Sequence, residues 1–60
     1  GLVDINSASE SELDALTGVG PVTAKKVIDN RPYQTIEELV SKRVVGASLF
    51  GKIKDKITVQ

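Results

Sequence analysis

The sequence contains no cysteine and no histidine, and Tyr33 and Phe50 are its only aromatic residues. Without cysteine there is no disulfide framework and no thiolate zinc site. Without histidine the chain lacks the commonest general base and metal ligand. Two aromatics are too few for a platform on which bases stack. These absences argue against hydrolases, proteases and metalloenzymes, and they predict a binding module that needs no cofactor.

Long apolar segments are also missing. No apolar run approaches the roughly 20 residues that cross a bilayer, and no signal-peptide pattern opens the chain, so the residues alone leave the compartment open. The 60 residues fit one small domain over 1–60. A domain of this size is stabilised by about 3–5 kcal/mol at most.

The net charge is zero, yet the charges are segregated along the chain. Residues 1–20 carry four acidic side chains and no basic one, whereas residues 21–60 carry all eight basic side chains and four acidic ones. Such asymmetry between the two parts of the chain indicates an anionic partner more strongly than the total charge does. A distribution that serves only solubility is the alternative, and it stays open at this point.

Spacing predicts four helices. Ser9 with Glu12 has the spacing of a capping box and predicts the start of a first helix, which must end at 17–20. Pro21 suits the first turn of a second helix, which ends near Asn30. Thr35 with Glu38 repeats the capping-box spacing and predicts a third helix. A fourth helix is predicted to run to about residue 57, and the tail 58–60 is predicted to be extended beside residues 2–6.

An internal repeat relates the two halves. When residues 9–31 are aligned with residues 35–57, six of the 23 positions are identical. The identities fall where helix caps, turns and core positions require them, for example at Val19 with Val45 and Gly20 with Gly46. The repeat predicts two helix–turn–helix units, each burying the apolar face that the other leaves open.

The stretch most informative about function is Gly18-Val19-Gly20, which lies directly before the second helix. Gly18 can adopt the positive φ that a tight turn needs, Val19 can point into the core, and Gly20 places no side chain over the helix start. The free N–H groups of the new helix, including that of Val22, then suit a phosphate oxygen.

Polar and basic side chains follow in the first two turns of that helix, where Thr23 adds a hydroxyl and Lys25 and Lys26 add positive charge. The pattern is not a nucleotide-binding loop, because it lacks a third glycine, a preceding strand and the GK[ST] ending. A plain interhelical turn is the competing interpretation of the two glycines.

The opening VDIN at residues 3–6, the helix start SAS at residues 7–9 and the run LTGVGPVTA at residues 16–24 resemble the helix-hairpin-helix DNA-binding domain of the ComEA competence family. The resemblance covers residues 3–59. It implies an all-α, compact tandem helix-hairpin-helix fold, (HhH)2, of four short helices in a SAM-domain-like arrangement, with a first unit at 7–31 and a second, degenerate unit at 35–57.

The resemblance also implies a function. Members of the family bind double-stranded DNA without sequence preference, by gripping backbone phosphates across the minor groove. This binding serves DNA uptake, or it makes the domain an accessory part of nucleases and repair proteins. The family suggests a bacterial protein that is exported, periplasmic or membrane-anchored, and a module that is monomeric.

The second hairpin departs from the family pattern, because Val44 stands where the first glycine belongs. A β-branched residue at positive φ is an outlier, so this turn must differ or be strained. Gly46 and Ser48 then open the fourth helix, and Lys52 matches Lys26 in the repeat. Basic side chains just before the turn are candidates for compensating contacts to DNA: Lys42 and Arg43.

Two functions therefore remain open from the sequence. One is a DNA-binding module, and the other is a structural or protein-interaction domain that keeps the fold and has lost DNA binding. Val44 and the neutral total charge favour the second. Basic side chains that gather around both hairpins without acidic partners would favour the first.

Overall fold

Helices dominate the structure, a computed structural model that describes residues 1–60. The elements in chain order are β1 (Val3–Asp4), α1 (Glu10–Asp14), α2 (Pro21–Asp29), α3 (Glu38–Ser41), α4 (Ala47–Ile53), a 3₁₀ helix (Lys54–Lys56) and β2 (Ile57–Thr58). The two strands pair in parallel, with Val3 opposite Ile57 and Asp4 opposite Thr58. The prediction of four helices is confirmed. The strand pair departs from a purely α fold, and it joins the tail to the opening segment as predicted.

The first capping box forms as predicted. The Ser9 hydroxyl accepts a hydrogen bond from the Glu12 N–H at 3.2 Å, and the Glu12 carboxylate accepts one from the Ser9 N–H at 2.9 Å. Two N–H groups that a helix start leaves without partners are satisfied in this way. The helix α1 therefore begins firmly at Glu10 and ends at Asp14, ahead of the turn.

The second capping box does not form, and that prediction is wrong. Helix α3 begins only at Glu38, and its N-cap, Glu37, makes no side-chain hydrogen bond. Residues 35–40 are joined by i to i+3 hydrogen bonds, such as Glu38 N–H to the Thr35 carbonyl at 3.2 Å. Since the Glu38 N–H already donates to the Thr35 carbonyl, it does not donate to the Thr35 hydroxyl. The Glu38 carboxylate accepts from the Gln34 N–H at 3.1 Å instead of from the Thr35 N–H.

The fourth helix is shorter than predicted. It ends at Ile53 and is followed by the 3₁₀ helix, so the expected helical turn to residue 57 is absent. Ile57 has φ −124° and ψ 159°, and it is buried opposite Val3. Strand pairing with β1 therefore overrides the helical spacing of the apolar residues.

One hydrophobic cluster of 13 buried residues joins both halves of the chain. Matched positions of the repeat are buried in each half: Leu13 with Leu39, Val19 with Val45, and Val27 with Ile53. Because both units share this core, the two hairpin turns are held at fixed relative positions.

Two polar side chains fasten the opening segment to the connector between the units. Asn6 donates from Nδ2 to the Tyr33 carbonyl at 2.8 Å and accepts from the Tyr33 N–H at 2.7 Å. Arg31 donates from Nε to the Ile5 carbonyl at 2.7 Å, and its guanidinium also donates to the Ala8 carbonyl. Arg31 therefore joins the connector to main-chain carbonyls of the opening segment.

We expect Asn6→Ala to lower the free energy of unfolding by about 2 kcal/mol, because it leaves two half-buried main-chain groups of Tyr33 without partners. Urea denaturation followed by circular dichroism measures this loss. Ser7→Ala is the matched control, since its exposed hydroxyl makes only a 3.1 Å hydrogen bond to Asp4. Equal unfolding midpoints for the two variants would contradict the role given to Asn6.

Candidate nucleic-acid interface

The first hairpin turn has the predicted backbone. Gly18 has φ +82°, and the Val19 N–H donates to the Leu16 carbonyl at 3.0 Å, as in a type II turn. Val19 is buried and anchors the turn to the core. A Cβ on Gly18 would lie 2.9 Å from Leu49 Cδ1, so glycine is required here by both conformation and space. The predictions of a left-handed Gly18 and an inward Val19 are confirmed.

Gly20 is different, because the fold does not require glycine there. It is the N-cap of α2 with φ −102° and ψ −176°, an extended conformation open to any residue. No atom lies within 4 Å of the place a Cβ would occupy. Glycine at this position therefore keeps the start of α2 uncovered.

The start of α2 carries main-chain donors without partners. The N–H groups of Gly20, Val22 and Thr23 make no hydrogen bond within the chain, and the first bond of the helix is from Ala24 N–H to the Gly20 carbonyl at 2.9 Å. Pro21 has no N–H to satisfy. In α1, by contrast, the Ser9 hydroxyl and the Glu12 carboxylate cap two of the equivalent donors. The positive end of the α2 dipole is thus open to an anion.

Two lysines stand next to these donors. Lys25 and Lys26 follow Val22 by three and four residues, so all three side chains share one face of α2. All three are exposed, Val22 to 71%. Neither lysine forms an ion pair, since the chain's single ion pair lies elsewhere. Helical side chains lean towards the N-terminus, so this positive charge leans towards the open donors.

The second turn differs from the first. Helix α3 ends in a Schellman motif, in which the Val44 N–H donates to the Leu39 carbonyl and the Arg43 N–H donates to the Val40 carbonyl, each at 2.9 Å. The left-handed residue is Arg43, with φ +59°. Val44, which replaces the family's glycine, is buried and keeps a negative φ. The turn therefore differs as predicted, and its left-handed residue lies one position earlier in the chain, at Arg43 instead of at Val44.

The remaining predicted residues open the fourth helix. Gly46 is the N-cap of α4, with extended backbone and no atom within 4 Å of a Cβ. Ser48 and Lys52 are exposed and four residues apart on α4. Leu49, between them, lies against Gly18. The two turns are therefore neighbours, and we call their exposed and half-buried residues the hairpin surface: Gly18, Gly20, Val22, Thr23, Lys25, Lys26, Arg43, Gly46, Ser48 and Lys52.

Lys42 is used within the chain. Its Nζ donates to the carbonyls of Asn30 at 3.2 Å and Pro32 at 2.9 Å, and it lies 3.7 Å from the Glu38 carboxylate. The same ammonium is 4.8 Å from the centroid of the Tyr33 ring. The predicted contact of Lys42 with DNA gains no support from this geometry, which points to a role in holding the connector.

Tyr33 packs in the core. Its hydroxyl donates to the Val27 carbonyl at 2.8 Å. Burial raises the pKa of this phenol; the Arg31 charge opposes the shift and the Glu38 charge adds to it. Phe50 is half-buried against the same core. The aromatic rings therefore serve packing, and the hairpin surface offers main-chain donors and cations instead.

No group of three or more acidic side chains is placed to hold a metal ion, and no pocket indents the surface. None of the helices is both long and apolar enough to cross a membrane.

Two curated proteins are similar to most of the chain. ComE operon protein 1 of Bacillus subtilis (strain 168) is 41% identical over 63 residues, covering 98% of this chain and 31% of that protein. A protein named deoxyribonuclease from Thioalkalivibrio sp. (strain K90mix) is 39% identical over 54 residues, covering 90% of this chain and 15% of that protein. The chain thus spans less than a third of the length of either relative. No solved structure shows significant similarity to it.

A family model described as helix-hairpin-helix motif matches residues 1–58. This match covers both turns and all four helices. It agrees with the left-handed Gly18 and with the repeat of buried positions. The chain therefore belongs to the helix-hairpin-helix family, as its sequence predicts.

Proposed function

We propose that the chain binds double-stranded DNA through its backbone phosphates and without sequence preference. One observation carries the proposal: the start of α2 presents unpaired N–H groups at Gly20, Val22 and Thr23, with two unpaired lysines on the adjoining turn. Phosphate oxygens are strong acceptors with negative charge, and they match both kinds of group.

The absence of sequence preference follows from the chemistry of these groups. Main-chain N–H groups and lysine ammonium groups bind phosphates, which are the same in every sequence. Base edges are read by side chains, such as arginine, lysine, asparagine and glutamine, that reach into a groove. The free donors at the start of α2 are main-chain N–H groups, which do not reach into a groove, so this part of the hairpin surface fits the phosphate backbone.

The relatives support a role as a DNA-binding part of larger proteins. One is named for the ComE operon and the other as a deoxyribonuclease, and the matched region is a minor part of each. We therefore propose a non-enzymatic, monomeric module that serves DNA uptake or holds DNA for a nuclease. An exported, periplasmic or membrane-anchored location and a SAM-domain-like packing of the helices belong to the same proposal.

A structural or protein-interaction domain is the second candidate. It is favoured by the buried Val44 in the second turn and by the use of Lys42 inside the chain. This candidate predicts a protein partner whose binding is insensitive to salt. DNA binding instead weakens steeply as salt rises, because bound counterions are released from the phosphates.

Titration with a short DNA duplex, followed residue by residue by NMR at two salt concentrations, tests the proposal. We expect the amide resonances of residues 18–26 to shift, with a Kd of about 10⁻⁴–10⁻⁶ M and a log–log salt slope of about −0.9 per phosphate engaged. The double variant Lys25→Ala/Lys26→Ala should reduce that slope by about two.

The matched control removes the same charge elsewhere. Lys54→Ala/Lys56→Ala changes two exposed lysines of the 3₁₀ helix, outside the hairpin surface, and should leave most of the slope intact. Unmoved resonances for residues 18–26 at low salt would reject the proposal. Equal losses for the two double variants would show attraction by overall charge only.

A further inference from the structure

We propose that the second turn holds a phosphate of the DNA through the side chain of Arg43, whereas the first turn uses main-chain donors. The inference rests on the proposed function and assigns the second hairpin its own way of binding. Three observations carry it: the backbone conformation of Arg43, its lack of partners within the chain, and its place in the fold.

The backbone of Arg43 is strained for an arginine. Its φ of +59° makes it the chain's only non-glycine residue in the left-handed region. The position is C′ of a Schellman motif, which glycine occupies most often because it has no Cβ to clash. The motif needs only the two main-chain hydrogen bonds and the burial of Val44. Glycine at 43 would therefore serve the fold better than arginine does.

The arginine gains nothing within the chain to offset this strain. Its side chain is exposed and makes no hydrogen bond and no ion pair. Its neighbour Lys42, by contrast, makes three polar contacts on the connector. A guanidinium free of partners offers five donors in a planar fork, which fits two phosphate oxygens at once. Strain kept at an exposed, unpartnered residue points to a ligand outside the chain.

The surroundings of the second turn explain why a side chain is needed. Helix α2 has lysines in its first two turns, but α4 is only seven residues long and its first turn, Ala47 to Leu49, carries no charge. Main-chain donors alone bind an anion weakly at so short a helix. Since Leu49 lies against Gly18, the second turn is next to the first. Arg43 therefore supplies charge where α4 supplies little.

The test is Arg43→Gly, for which stability and affinity should change in opposite directions. We expect a higher urea midpoint, because the strain is relieved, and a Kd for duplex DNA about tenfold higher at low salt, with the log–log salt slope reduced by about one. Arg43→Asn is a second neutral variant that tolerates the left-handed region and should lose affinity equally.

Arg43→Lys is the matched control, because it keeps both the charge and the backbone strain. We expect its midpoint to equal that of the unaltered protein and its salt slope to be kept, with a Kd raised by less than in Arg43→Gly, since an ammonium cannot make the two-pronged contact. Unchanged affinity and slope in Arg43→Gly would overturn the inference. An unchanged urea midpoint in that variant would overturn it as well, by removing the strain on which it depends.

Loss of DNA binding by the second turn alone can be distinguished from loss of DNA binding by the whole domain. If Arg43→Gly binds normally while Lys25→Ala/Lys26→Ala binds weakly, the first turn binds DNA and the second does not, so only the inference falls. If the unaltered protein leaves duplex DNA unbound at low salt, both fall together.

Discussion

Gly18→Val is expected to leave most of the domain unfolded at 25 °C. A side chain at φ +82° costs about 1–2 kcal/mol, and more for a β-branched residue. The new Cβ would also lie 2.9 Å from Leu49 Cδ1, and such overpacking costs about 1–3 kcal/mol. Together these costs are comparable to the free energy of unfolding of a domain of this size, which is about 3–5 kcal/mol.

The same substitution two residues later is the matched control for Gly18→Val. Gly20→Val places its side chain in open space on an extended backbone. We therefore expect its circular dichroism spectrum and urea midpoint to stay close to those of the unaltered protein. Equal midpoints for the two valine variants would show that the first turn does not depend on the left-handed conformation of Gly18.

Gly20→Asp is expected to stabilise the fold and to abolish most DNA binding. The backbone at Gly20 accepts any residue, and aspartate is a preferred N-cap, which adds roughly a few tenths of a kcal/mol over glycine. Its carboxylate would occupy the N–H groups of Val22 or Thr23 and repel phosphates. The loss of hydrogen bonds to a charged group is about 3 kcal/mol, or roughly a hundredfold in Kd.

Gly20→Asn separates the two causes of that loss. Asparagine has the same shape and caps the helix as well, but it carries no charge, so we expect a smaller rise in Kd than for aspartate. Fluorescence anisotropy with a labelled duplex measures both values. An aspartate variant that is stable and binds like the unaltered protein would place the phosphates away from the start of α2.

Local features of this fold were predictable, because they depend on residues close in sequence. The side chains of Ser9 and Glu12 each accept a hydrogen bond from the other residue's main-chain N–H. Gly18 has a left-handed backbone conformation that few other residues adopt. The same reasoning was wrong at Thr35 and Glu38, where the spacing is identical. There the Glu38 N–H donates to the Thr35 carbonyl in a tight turn. A capping pattern therefore gives no information on competing main-chain hydrogen bonds.

Contacts between distant residues were not predictable. Arg31 binds the carbonyl of Ile5, which is 26 residues away, and Asn6 binds the main chain of Tyr33, which is 27 residues away. Neither pair carries a sequence signal. Glu38 and Lys42 are four residues apart, a spacing that allows a helical ion pair, but the carbonyls that also attract this lysine come from the connector. Which residue of the second turn becomes left-handed was likewise decided by the burial of Val44.

The parallel pairing of β1 with β2 determines how the domain responds to mechanical force. Tension applied at residues 1 and 60 drags the two strands past each other lengthwise, because they run in the same direction. The bonds between them, such as Ile5 N–H to the Thr58 carbonyl at 3.0 Å, are then loaded in shear and must break together. The strand pair therefore resists a pull on the two ends of the domain along the line of the load.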